Sequence, residues 1–119
     1  MRTILSDEED YSTLIEKTNE AKELFPNQAL LYYFNAIGYH QTDDYAPAIK
    51  SYEKGVKMAF DNPQLQEQMY INLGDVYDKQ KDYEKSDKNF DKALTINSEN
   101  AYTLNNYSYY LSLRNEHLD

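Results

Sequence analysis

Residues 70–93 read YINLGDVYDKQKDYEKSDKNFDKA, a stretch in which large rings and small side chains recur at helical spacing. They lie three or four positions apart on each side of a central Asp-Tyr pair, which places them on one face of each of two helices. They are Tyr70, Gly74 and Tyr77 before the pair, and Ser86, Phe90 and Ala93 after it. Small residues let two antiparallel helices approach closely, and rings fill the space beside them. The stretch therefore predicts a tightly packed helical hairpin.

The Asp-Tyr pair occurs three times along the chain, at Asp10-Tyr11, Asp44-Tyr45 and Asp82-Tyr83. The tyrosines are separated by 34 and then 38 residues. The four additional residues amount to about one helical turn, so the apolar face keeps its register. Ten residues after each tyrosine stands a small residue, namely Ala21, Gly55 or Ala93. The whole chain is therefore interpreted as a series of similar hairpins.

A period of about 34 residues with this pattern resembles the tetratricopeptide repeat. Further small residues fit the pattern at Ala36, Gly74, Ser108, Ala48 and Ser86, with Leu14 as an exception. Aromatic residues fit it at Tyr32 and Tyr70, at Tyr39 and Tyr77, and at Tyr52 and Phe90. The resemblance covers nearly the whole chain. It implies an all-α fold, a right-handed superhelix (α-solenoid) of about six helices in antiparallel pairs.

Helix signals place the six predicted helices at about 7–24, 28–41, 44–60, 63–79, 82–96 and 98–113. Ser6 and Glu9 have the spacing of a capping box that would start the first helix. Pro63 suits the first turn of the fourth helix, behind Asp61 and Asn62 as candidate caps. Residues 115–119 read as a turn into a further helix.

The repeat frame divides residues 1–119, a single tetratricopeptide repeat domain, into four parts. They are a half repeat at 1–28, repeats at 29–66 and 67–100, and a half repeat at 101–119. Solenoids normally end in a polar capping element, and neither end has one. We therefore expect a piece of a longer array, or ends that pair with another copy.

Charge and composition exclude several classes of function. A formal charge of −9 repels phosphate backbones and anionic lipid surfaces, which argues against nucleic acid and membrane partners. The absence of cysteine removes disulfides and thiol chemistry. The acidic N-terminal stretch has no signal-peptide pattern, and no apolar run reaches the ~20 residues of a membrane span. We expect a soluble protein of unknown compartment, cytoplasmic by default, with a periplasmic location open if a longer precursor was cut.

The resemblance also implies where a partner would bind, since the first helices of successive hairpins line a concave groove in this family. The implied groove residues are Tyr33, Ile37, His40, Ile71, Asn72, Asp75, Asp78, Asn105, Asn106 and Tyr109. Asp75 and Asp78 suggest a basic or polar partner; the alternative, which the usual abundance of charge on helix surfaces favours, is that they are solvated carboxylates. The carboxylate clamp of chaperone-binding members is not expected, because only Asn72 matches its pattern.

The sequence contains no recognisable catalytic or metal-binding motif. The two histidines, His40 and His117, lie far apart in sequence, and no metal-ligand spacing or glycine-rich phosphate loop occurs. We predict no cofactor, no metal site and no enzymatic activity.

The leading hypothesis is a protein–protein interaction module that binds a peptide or helical segment of an unidentified partner in the groove. The alternative is a structural assembly unit that forms homo-oligomers through its open helical ends.

Overall fold

The computed structural model describes the backbone of residues 4–118 and the side chains of residues 9–115. Six α-helices cover most of this range, and residues 4–118 contain no strand. They are α1 (Ile4–Leu24), α2 (Ala29–Gln41), α3 (Tyr45–Met58), α4 (Pro63–Lys79), α5 (Tyr83–Ile96) and α6 (Ala101–Leu118). The predicted all-α fold of about six helices is confirmed.

Helix α4 begins as predicted. The side-chain oxygen of Asn62 accepts a hydrogen bond from the backbone N–H of Leu65, at 3.2 Å, and Pro63 occupies the first helical position. Asn62 therefore satisfies one of the N–H groups that a helix start leaves without a partner, while proline has no N–H to satisfy.

The first and last helices differ from their predicted bounds. Helix α1 already includes Ser6, so the capping box that would start a helix after Ser6 is wrong. Helix α6 begins three residues after Ser98, because the side chain of Asn100 accepts from the N–H groups of Tyr102, at 2.9 Å, and Thr103, at 3.3 Å. It also continues to Leu118, through most of the segment that was predicted as a turn.

The chain divides into two compact units after Asp61. Unit 1 contains α1, α2 and α3, and unit 2 contains α4, α5 and α6. The four-part division into repeats and half repeats stays a prediction.

Unit 2 is built on the predicted contact between a small residue and a ring. A Cβ atom added to Gly74 would lie 2.7 Å from Cε2 of Phe90, closer than carbon atoms pack. The hydroxyl of Ser86 donates to the Gly74 carbonyl at 2.7 Å. Phe90 is fully buried and stacks on Tyr107 with ring centroids 5.1 Å apart. Glycine is thus needed where α4 packs against the ring of Phe90 on α5.

Unit 1 repeats this arrangement with different residues. Ala36, Ala48 and Tyr52 are all fully buried, as the pattern predicts for the contact between α2 and α3. Ala21 is only half-buried, unlike its counterparts Gly55 and Ala93, so the expected equivalence of the three positions holds for two of them. In unit 2, Ser108 is exposed, since no helix among the described residues of that unit covers its side of α6.

A buried asparagine joins the three helices of unit 1. Asn35 is fully buried, and its amide nitrogen donates to Thr18 Oγ1 at 2.9 Å and to Asn19 Oδ1 at 3.0 Å. Its amide oxygen accepts from Ser51 Oγ at 2.6 Å and from Lys22 Nζ at 3.0 Å. All of its hydrogen-bonding capacity is therefore matched, as a buried polar group requires.

The turns after α2 and α4 have the same geometry. Asp43 and Lys81 adopt positive φ angles of 62° and 64°. In each turn the following residue, Asp44 or Asp82, donates its N–H to a carbonyl five residues earlier at 2.9 Å. This is a left-handed helix end of the kind that glycine most often provides.

Candidate partner-binding site

In unit 1 the predicted groove residues form an aromatic face on α2. Tyr33, Ile37 and His40 are half-buried and follow one another at helical spacing. The Tyr33 ring lies 5.5 Å from that of Phe34, which is 42 % exposed. His40 Nδ1 lies 3.0 Å from the hydroxyl of Tyr52, and the two rings meet edge to face. His40 is thus held by a core tyrosine of α3, with part of its surface open.

In unit 2 the predicted residues of α4 differ in their access to solvent. Ile71 is 2 % exposed and packs with Phe90 and Ala93, so its side chain offers no surface to a partner. Asn72 is half-buried, and its amide oxygen accepts from Gln68 at 3.1 Å. Only Asn72 and the two aspartates of α4 remain accessible.

The predicted residues of α6, namely Asn105, Asn106 and Tyr109, form a stripe with Tyr102 in which all but the half-buried Asn106 are exposed. Tyr102, Asn105, Asn106 and Tyr109 succeed one another at helical spacing, and we call them the α6 stripe. Tyr102 is 59 % and Tyr109 is 62 % exposed, and the Tyr109 ring meets that of Tyr110 edge to face at 5.9 Å. The stripe therefore offers two rings and two amides to solvent.

The carboxylates of α4 are bound to side chains of α6. Asp75 accepts the hydroxyl of Tyr110 and lies 3.5 Å from Lys79 Nζ. Asp78 accepts from Nε of Arg114 at 3.1 Å and from its Nη2 at 2.8 Å. The negative charge that suggested a basic partner is thus largely matched within unit 2.

Arg114 is the centre of this network. Its Nη1 pairs with Asp87, its Nη2 donates to Ser86 Oγ at 3.0 Å, and its guanidinium lies 4.5 Å from the ring centre of Tyr83. The Arg114 side chain is only 11 % exposed. One arginine on α6 therefore contacts both α4 and α5, with the fixed fork of donors that guanidinium provides.

The protonation of Arg114 and Tyr110 agrees with these contacts. Burial works to lower the pKa of Arg114, but the hydrogen bonds and charges of Asp87 and Asp78 outweigh it and raise the pKa. Burial, the hydrogen bond to Asp75 and the nearby carboxylates raise the pKa of the Tyr110 hydroxyl. Both groups therefore keep their protons, and the bonds between α4 and α6 persist across neutral pH.

Sequence reasoning missed Arg114 because it ended the sixth helix at Leu113, and it missed Tyr110 because this residue lies outside the groove positions that the family resemblance implies. A signal was present, since α4 and α5 together carry six carboxylates and four lysines, an excess of negative charge. A continued helix places Arg114 four residues after Tyr110, on the same face.

Within the described part of the chain, no three His, Cys, Asp or Glu side chains come together closely enough to hold a metal ion. Among the helices described, none is long and apolar enough to cross a membrane.

Comparison with known families matches this chain to a family model described as Tetratricopeptide repeat, at residues 38–62 and 67–100. These ranges include Gly55, Gly74, Phe90 and Ala93, which form the small-and-large pattern. A comparison with curated proteins gives no match.

Proposed function

Because this chain belongs to the tetratricopeptide repeat family, whose repeats generally mediate protein–protein interaction, we propose that it binds a segment of a partner protein along the α6 stripe. The observation that carries the proposal is the exposure of two tyrosine rings, each more than half open to solvent, with two amides between them. Tyrosine is enriched at binding hot spots because it buries a large area while losing little conformational entropy.

The chemistry of the stripe favours a segment with apolar and polar uncharged side chains. The rings would cover apolar groups, and the amides of Asn105 and Asn106 would bond to a peptide backbone. A direct ion pair with a basic partner is less favoured, since Asp78 would have to leave Arg114. Tyr33, Ile37 and His40 would form a separate patch in unit 1.

The test begins with peptides selected from a random library for binding to the whole chain. We expect Tyr102→Ala combined with Tyr109→Ala to weaken their binding at least about tenfold, a typical loss for two hot-spot rings. Phe60→Ala is the matched control, because Phe60 is a ring with 80 % exposure outside the stripe. If the control weakens binding as much as the double variant does, or the double variant has no effect, the α6 stripe is not the binding site.

A second function, self-association, is favoured by a different face of α6. Leu104 is 42 % and Leu111 is 40 % exposed, and with Ser108 they form what we call the open face of α6. Thirty-four residues earlier the corresponding positions are Tyr70, Gly74 and Tyr77, the side of α4 that packs against α5. The open face thus has the residue pattern of a helix-packing surface, and the described part of unit 2 leaves it uncovered.

Sedimentation velocity at increasing protein concentration separates the two functions. An assembly unit would grow in mass, and Leu104→Glu combined with Leu111→Glu would return it to a monomer because charge opposes burial of this face. A wild-type mass that stays constant with concentration would rule out self-association and leave the α6 stripe unaffected.

A further inference from the structure

Unit 1 contains a cleft of about 730 Å³ between α1 and α3, above a side of α2 different from the one that carries Tyr33, Ile37 and His40. Its floor includes the buried side chains of Tyr32 and Asn35. Its walls include Lys22 from α1 and Lys50 and Lys54 from α3, and we call it the lysine cleft. The volume lies within the range of about 300–1,000 Å³ that is usual for ligand sites.

The cleft concentrates positive charge in an acidic chain. Residues 1–61 contain six lysines and arginines, and three of them line this cleft. Glu23 is the one acidic residue in the lining. Among the described residues, no carboxylate forms an ion pair with Lys22, Lys50 or Lys54. Solvated surface lysines are common, but three around one concave surface that contains a single carboxylate are not explained by solubility alone.

Two of the three lysines contact the same ring. Lys22 Nζ lies 5.1 Å and Lys54 Nζ 5.2 Å from the centre of the Tyr32 ring, within the range of a cation–π contact. Lys22 is further positioned by its hydrogen bond to Asn35. Burial, followed by the charges of Lys54 and Lys50, lowers the pKa of Lys22. The charges of Lys54 and Lys50 thus disfavour the charged form of Lys22, and an anion bound between them would relieve that repulsion.

Neutral groups in the cleft complete a set of donors. The hydroxyl of Tyr39 accepts from Asn19 Nδ2 at 3.3 Å and can donate its own proton to a ligand. Pro26 and Pro47 add apolar surface to the lining. Together these groups could hold charged side chains and the aliphatic parts that connect them.

We propose that the lysine cleft is a second binding site, which takes an acidic segment of a partner protein through its side-chain carboxylates. Three separate ammonium groups on flexible stems suit several carboxylates, whereas a single bidentate anion would favour arginine. The cleft is also larger than one inorganic ion needs. A long polyanion such as nucleic acid would extend beyond the cleft and face repulsion from the chain, whose net charge is −9.

The proposal is tested with the whole chain and a capped hexaglutamate peptide at low, constant ionic strength, by calorimetry and by NMR of backbone and lysine nitrogen atoms. We expect shifts at the residues that line the cleft and a rise in the pKa of Lys22 on binding, because a carboxylate favours the charged ammonium. Hexaglutamine serves as the uncharged control peptide. Shifts spread over lysines of both units would contradict a defined site.

A matched pair of variants separates the cleft from general charge attraction. Lys50→Gln combined with Lys54→Gln should weaken binding of hexaglutamate about tenfold or more, the effect of losing about 1.4 kcal/mol. Lys17→Gln combined with Lys57→Gln makes the same change of charge on exposed residues of unit 1 outside the cleft, and should alter binding less than about threefold, as expected for distant screened charges. Equal losses in the two variants would overturn the proposal.

Inorganic phosphate is the competing ligand to examine. If phosphate binds the cleft as tightly as the peptide does at equal ionic strength, the site takes a compact oxyanion and the acidic-segment proposal is wrong. The α6 stripe lies in unit 2 and is tested with different variants, so the two proposals can fail independently.

Discussion

Two buried threonines have opposite hydrogen-bonding states. The hydroxyl of Thr18, in unit 1, donates to the Leu14 carbonyl at 2.7 Å and accepts from Asn35 at 2.9 Å. The hydroxyl of Thr103, in unit 2, is fully buried and has no partner among the described residues. A buried hydroxyl without a partner costs about 1–3 kcal/mol relative to one that is bonded.

We expect Thr103→Val to raise the free energy of unfolding by about 1 kcal/mol, because valine has nearly the same shape and no polar group to desolvate. Thr18→Val is the matched control and should lower it by about 1–3 kcal/mol, since Asn35 loses an acceptor. Urea denaturation of the three proteins measures both changes. If Thr103→Val is as destabilising as Thr18→Val, the Thr103 hydroxyl has a partner in solution.

At the scale of single residues, the sequence reveals contacts that have a repeating pattern. The contact of Gly74 with Phe90 could be predicted because small and large residues recur at one spacing. The hydrogen bonds of Asn35 could not be predicted in this way. The corresponding position of unit 2 is the buried Leu73, so the polar residue occurs once and forms no repeating pattern. Its partners come from two other helices, so only the fold shows that its hydrogen bonds are satisfied.

Helix α6 is held to unit 2 largely through polar contacts. Arg114 reaches Asp78 on α4 and Asp87 on α5, and Tyr110 bonds to Asp75. Its other contacts are rings, with Tyr107 and Tyr110 packed against Phe90. The helix that carries the proposed binding stripe thus depends on one arginine for its ionic attachment.

We expect Arg114→Met to lower the free energy of unfolding by about 1–3 kcal/mol, less than the 3–5 kcal/mol of a fully buried pair because Asp87 is 37 % exposed. Amide hydrogen exchange should accelerate in α6 before it does in α4. Lys88→Met, which removes only an exposed pair with Glu84, should change stability by less than about 0.5 kcal/mol. Unchanged protection of α6 in Arg114→Met would show that the rings alone hold the helix.

Helix starts could be predicted where the residues that cap them are adjacent in sequence. At the start of α4, Asn62 provides the capping hydrogen bond and Pro63 occupies the first helical position, as predicted. The start of α6 was misplaced because Ser98 has the right chemistry for a cap, yet Asn100 supplies it. The part of α6 beyond Leu113 includes Arg114, whose partners lie on other helices, and no local pattern contains those contacts.

On the scale of the whole molecule, the net negative charge is expected to affect stability and its dependence on salt. The chain has 21 acidic and 12 basic residues, and folding brings the excess negative charges closer together. The ion pairs of Arg114 are partly buried and therefore less sensitive to salt than the exposed carboxylates are.

We therefore expect the midpoint of thermal unfolding to rise by a few degrees between 20 and 300 mM sodium chloride, the shift that about 1 kcal/mol produces in a small domain. The triple variant Glu16→Gln, Asp91→Asn and Glu99→Gln removes three exposed carboxylates and should respond less to salt. A midpoint that falls with salt would mean that attractive surface pairs outweigh the repulsion.

The class of the molecule was predictable from one tyrosine period and its flanking small residues. The helices and their pairwise packing follow from local pattern, whereas the right-handed superhelix stays a prediction of the family resemblance. The groove was predicted by its residue positions alone. That method could not foresee that Ile71 is buried in the core, or that Asp78 is bonded to Arg114.

Asn35, at the centre of unit 1, sets the smallest number of helices that can be transferred from this chain to another protein with its hydrogen bonds intact. A hairpin of α2 and α3 alone would keep the bond from Ser51 but would lose the acceptors that α1 gives to the Asn35 amide hydrogens. Unless a host helix offered equivalent oxygens, the transplanted hairpin would need water in its interior. For protein design, the transferable block here is three helices long, although the sequence repeats in twos.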